Sequence, residues 1–68
     1  MTNTELLQQK IDAAGLSPTA MAAALDRSVP TFYSRMRGES EFTATEIRIC
    51  TKVLNLSNAE RDAIFFGE

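Results

Sequence analysis

Arg27, Arg35 and Arg37 lie within residues 27–37, a stretch that holds no acid. Its local charge is +3 in a chain whose net charge is −2 and whose pI is near 5.0, so the remaining residues sum to −5. The chemistry open to such a cluster is contact with phosphate, because duplex nucleic acid selects for basic surfaces. The competing reading is a solvated helix face. Other chemistry is narrowly limited. The chain has no histidine and a single cysteine, Cys50. That removes Ser-His and Cys-His nucleophilic pairs, histidine zinc sites and an internal disulfide. No nucleophile–base pair and no metal cluster is visible, so the chain does not read as an enzyme and implies no cofactor.

The elements that must carry these residues are helices. The 68 residues allow one domain, residues 1–68, and their 44% hydrophobic and 24% charged content is ordinary for a globular chain. No run of alternating apolar and polar residues suggests a sheet. No apolar run is long enough to cross a bilayer, and polar residues stand where a secretory leader has its apolar run. The reading is therefore cytoplasmic, with no membrane partner.

Five helices are predicted. The first starts near Thr2 or Thr4, with Thr2 and Glu5 spaced as a capping box, carries Leu7, Ile11 and Ala14 on one face, and stops at Gly15. The second opens with Ser17 as N-cap and Pro18 in the first helical position, and continues through the alanine-rich run to Leu25. The third opens at Ser28, accepts Pro30 in its first turn, and ends at Gly38. Phe32 and Met36 form its apolar stripe, which leaves Val29, Thr31, Tyr33, Ser34, Arg35 and Arg37 outward. The fourth opens with a capping box of Thr43 and Glu46, the fifth with one of Ser57 and Glu60. Ile47, Cys50, Thr51 and Leu54 share one face of the fourth helix and Ile49 and Val53 a neighbouring one, a sector broad enough for cover on more than one side. The expected core is Leu7, Ile11, Ala22, Leu25, Phe32, Met36, Ile47, Cys50 and Leu54, with Phe42 core by the same logic. Phe65 and Phe66 point about 100° apart on a helix, so only one of them enters a small core and the other is an interface candidate.

The run MAAALDRSVPTFYSRMRG, residues 21–38, together with Glu41-Phe42-Thr43 and Glu46-Ile47 and the C-terminal Phe65-Phe66, resembles the lambda-repressor and Cro-like helix-turn-helix family. The likeness is closest to short, single-domain, phage-encoded regulators and covers residues 5–66. It implies an all-α, compact five-helix lambda-repressor-like domain, with helices two and three as the helix-turn-helix. It further implies a sequence-specific transcriptional regulator that sets helix three in the major groove of a double-stranded operator, as a homodimer. The sequence departs from the family pattern in three places. Asp26 and Arg27 stand where a glycine and an apolar residue are usual; aspartate tolerates the left-handed turn, and Arg27 is expected to snorkel outward. Val29, Pro30, Tyr33 and Ser34 occupy the base-reading positions, where amide or guanidinium side chains would be the strong readers. Glu39 and Glu41 replace cations in the following loop.

The resemblance makes Thr19, Ser28, Val29, Pro30, Thr31, Tyr33, Ser34 and Arg37 the candidate DNA contacts. Several have a second reading. Ser28 and Thr31 cap their helix, Thr19 sits in the opening turn of helix two, and Arg37 suits a helix C-terminus whether or not it holds a phosphate. Arg35 is either a backbone contact or the partner of an acid on helix four. Tyr33 either meets a partner or packs partly on the core. The acidic balance and the weak base readers also fit another class of function, a helix-turn-helix-fold module that binds a repressor protein instead of DNA.

Overall fold

The computed structural model describes residues 1–67. Five helices follow one another: α1 (Thr4–Ala13), α2 (Pro18–Ala24), α3 (Val29–Met36), α4 (Ala44–Val53) and α5 (Asn58–Phe65), with no strand among the described residues. Each helix begins in the same way. A polar side chain at the N-cap (Asn3, Ser17, Ser28, Thr43 or Ser57) accepts a hydrogen bond from the amide three residues on, satisfying one of the donors that a helix start leaves free. In α4 and α5 the reciprocal bond is also present, from the N-cap amide to Glu46 and to Glu60.

The start of α1 differs from the expected Thr2–Glu5 box. Asn3 is the N-cap, its Oδ1 accepting from Leu6 N at 3.0 Å. The cause lies at the far end of the chain: the Asn3 amide donates to the carbonyl of Ile64 in α5 at 2.6 Å. That bond fixes the register of the first turn, and the Asn3 amide needs no glutamate.

The ends of α1 to α4 are equally uniform. At Gly15, Asp26, Gly38 and Asn55 the backbone turns left-handed, with φ of 70°, 56°, 77° and 53°. In each case this residue and the next donate their amides back to carbonyls in the last helical turn, for example Asp26 N to Ala23 O at 3.1 Å and Arg27 N to Ala22 O at 3.0 Å. This is the Schellman arrangement, and it satisfies carbonyls that the helix leaves free. Aspartate and asparagine reach this conformation more easily than other non-glycine residues, so Asp26 holds the turn without a glycine.

α2 packs against α3, and α5 against both α1 and α4. Leu7, Ile11, Met21, Ala22, Leu25, Phe32, Phe42, Cys50, Leu56, Ile64 and Phe65 form one buried cluster. Phe42 and Phe65 meet edge-on at 5.5 Å between ring centres. Phe65 is the buried member of its pair, while Phe66 is 55% exposed. Met36, Ile47 and Leu54 are half-buried against the cluster and not within it. Val53 is exposed, so α4 is not covered on both of its apolar sides. Among the described residues no helix is long and apolar enough to cross a membrane.

Candidate functional site

The connector between α2 and α3 is four residues long, and each has a defined job. Leu25 closes α2 and is buried, Asp26 makes the left-handed turn, Arg27 returns its amide to α2, and Ser28 caps α3. The Ser28 hydroxyl accepts from the Thr31 amide at 3.2 Å and donates to Thr31 Oγ1 at 3.0 Å. With so short a join, the angle between the two helices is fixed by backbone hydrogen bonds together with the burial of Ala22 and Phe32.

The eight candidate contact residues divide into two groups. Thr19, Ser28, Pro30, Tyr33 and Arg37 are exposed, and Tyr33 lies with its ring 6.0 Å from that of Phe32, outside the core. Val29, Thr31 and Ser34 are half-buried. Val29, the first residue of α3, packs against the core cluster, contrary to the outward position expected of it, because burying its apolar side chain is favourable. Ser34 is also drawn inward. Its hydroxyl pairs with that of Ser40 at 2.9 Å, and Ser40 in turn accepts from Arg35 Nη1 at 2.6 Å. The outward surface of α3 is therefore narrower than the Phe32–Met36 stripe implied, and Tyr33 is its most prominent side chain.

None of the three clustered arginines is left without a carboxylate. Arg35 Nε donates to Glu46 Oε1 at 2.9 Å, and Arg27 Nε donates to Glu46 Oε2 at 2.8 Å. Glu46 is 1% exposed, and it also accepts the Thr43 amide at 2.9 Å. Burial by itself would push this carboxyl upward. The hydrogen bonds from Arg35, the Thr43 amide and Arg27 outweigh burial and hold it at about 2. Arg27 thus does not simply snorkel to water: its stem is half-exposed, but its guanidinium is turned to a buried charge. Arg35 takes the acid-partner role on α4 and is largely covered. Arg37 is exposed at the end of α3, forked onto Glu39 at 2.9 and 3.1 Å. That hydrogen bond, followed by charge attraction, raises the Arg37 guanidinium and lowers the Glu39 carboxyl.

The pairing of Arg35 with an acid of the fourth helix was one of its two expected roles; what sequence reasoning missed is that the same acid, Glu46, also takes Arg27. The available signal was Arg27, a cation in the short join between two helices whose neighbour Asp26 is committed to the left-handed turn. Cys50, one turn further along α4, is fully buried, and burial followed by the Glu46 charge pushes its thiol up to about 12. It packs as a small apolar side chain and offers no nucleophile.

The site thus combines a closely joined pair of short helices, one exposed aromatic, and cations held in pairs. Comparison with known proteins yields no relative, since no family model, curated protein or solved structure matches the chain.

Proposed function

We propose that α2 and α3 form a helix-turn-helix and that the chain is a DNA-binding transcriptional regulator of the repressor/Cro type. The observation that carries this reading is the four-residue connector. It locks α3 against α2 while leaving Pro30, Tyr33 and Arg37 exposed along one side of α3. In this reading α3 enters a major groove, where Tyr33 supplies ring area to a thymine methyl and Pro30 adds apolar contact, while Val29 is left to the core. Thr19, Ser28, Thr31 and Ser34 contribute hydroxyls near the backbone, and Arg37 meets a phosphate by releasing Glu39. A single module of this size buries too little surface for strong specific binding, so the operator-bound form is a dimer with half-sites about one DNA turn apart.

Selection from a pool of random duplexes tests the reading. An enriched motif is expected, with affinity that falls steeply with salt, log K against log salt sloping about −0.9 per phosphate neutralised. Arg37→Ala should lower affinity for all sequences alike and flatten the slope by about one. Glu39→Gln should raise affinity, because it frees Arg37 and removes a carboxylate from the face. An affinity insensitive to salt, or no enriched motif, would defeat the proposal.

A second reading is favoured by one specific observation, the pairing of Arg27, Arg35 and Arg37 with carboxylates. A face so neutralised suits a protein partner such as a repressor, with Tyr33 as the anchoring aromatic. Tyr33→Ala separates the two. Loss of selectivity in the duplex pool supports the regulator, and loss only of a complex with a repressor encoded beside this chain supports the modulator.

A further inference from the structure

A second surface stands apart from α2 and α3. Between α4 and α5 an open groove of about 610 Å³ has a floor of Ile47, the Thr51 side chain and the exposed ring of Phe66. Its rim carries Arg48, Lys52 and Arg61. It lies on the Ile47–Thr51 side of α4, apart from the exposed Val53. The volume falls within the range of ligand clefts, about 300–1,000 Å³.

The charges around it are distinctive within this chain. Of the seven lysines and arginines, Lys10, Arg27, Arg35, Arg37 and Arg61 each form an ion pair with a carboxylate. Among the described residues, Arg48 and Lys52 are the two that do not, and both are exposed on the rim of this groove. In an acidic chain that neutralises its other cations internally, two unpaired cations flanking an apolar floor select an occupant that brings both carboxylates and apolar side chains. We propose that the α4–α5 groove docks an acidic, amphipathic segment of a partner protein, its apolar residues on Ile47 and Phe66 and its carboxylates on Arg48 and Lys52. A second copy of the chain is disfavoured, because a two-fold pairing of this face with itself would bring four unpaired cations together. Duplex DNA is disfavoured because a phosphate backbone has nothing to set on the apolar floor. The proposal is independent of which reading of α3 holds.

The test is a library of random peptides of about three helical turns, screened against the full chain and against the R48E/K52E double variant. The expected result is enrichment of peptides that combine Glu or Asp with Leu, Ile or Phe. Their affinity, measured by fluorescence anisotropy, should drop about tenfold or more in R48E/K52E, and salt should weaken it. Phe66→Ala should weaken the same peptides by about tenfold, as removal of an anchoring aromatic does. All three substituted side chains are exposed, and a thermal melt of each variant establishes that the fold is kept. Four results would overturn the proposal. The first is no enrichment, and the second is enrichment without an acidic bias. A third is a dimer in sedimentation that Phe66→Ala dissolves, which would assign the groove to a second copy. The fourth is duplex binding lost in R48E/K52E with no peptide selected, which would assign the cations to phosphate.

Discussion

Glu46→Gln keeps the shape of the side chain and removes its charge, leaving Arg35 and Arg27 facing a neutral amide in a covered site. Breaking a buried pair from one side costs about 3–5 kcal/mol. A chain of this size has roughly 3–10 kcal/mol of stability in total, at about 0.05–0.15 kcal/mol per residue. The variant should therefore be marginal at neutral pH by urea denaturation. Acid should act on the parent protein in the same way. The Glu46 carboxyl lies at about 2 when folded against an ordinary 4.5, so its contribution is complete above about pH 4.5 and is lost as pH falls towards 2. The difference corresponds to about 3 kcal/mol, at about 1.4 kcal/mol per pH decade. Glu60, held at about 2 by the hydrogen bonds from Lys10 and Ser57, loses its contribution in the same direction. Stability of the parent should thus fall steeply between pH 4.5 and 2, while that of Glu46→Gln should start lower and fall less. Equal pH slopes in the two proteins would remove Glu46 from this role. Phe32→Ala tests the other side of α3. It should cost about 3–5 kcal/mol through lost transfer energy and a cavity, and a parent-like melt would mean that Phe32 does not anchor the helix.

At the scale of elements, helix ends were the most legible feature because their chemistry is local. A serine or threonine and the amide three residues on lie within one turn, so Ser17, Ser28, Thr43 and Ser57 could be identified as caps from spacing alone. Gly15 and Gly38 marked stops for the same reason. Asn55 gives the same left-handed stop without a glycine and was not anticipated. Where a distant contact decides, spacing fails. Asn3 displaced Thr2 because of a bond to Ile64, and Ser34 and Val29 turned inward because of Ser40 and the core. The candidate site was accordingly half legible: Tyr33, Pro30, Thr19 and Arg37 by exposure, but not the double pairing at Glu46, whose partners arrive from other elements. Gly15→Ala isolates the backbone contribution of a stop. A Cβ there would meet nothing within 4 Å, while φ is +70°. The variant should lose about 1–2 kcal/mol from the left-handed conformation alone, read from the shift in urea midpoint at unchanged slope. No loss would mean that the turn relaxes to a right-handed form.

For the molecule as a whole, the bond from Asn3 to Ile64 and the ion pair of Lys10 with Glu60 join the first helix to the last. The second of these spans fifty positions of the chain, whereas α2 and α3 meet across a four-residue connector. Forming the α1–α5 seam therefore closes nearly the entire chain, and the entropy of that closure sets a kinetic cost that the local helix pairs do not bear. Reordering the chain should relieve it. A circular permutant that links residue 67 to residue 3 through a short flexible segment, with new ends opened in the exposed turn at Gly38 and Glu39, makes the α1–α5 contacts local and the α3–α4 contacts distant. Its refolding, followed by stopped-flow, should be limited by closure of the Arg35–Glu46 bridge instead of the α1–α5 seam. Substitutions at Glu46 should then slow refolding of the permutant more than that of the parent, and those at Lys10 the reverse. The seam between the first and last helices thus makes the order of assembly a property of where the chain is cut.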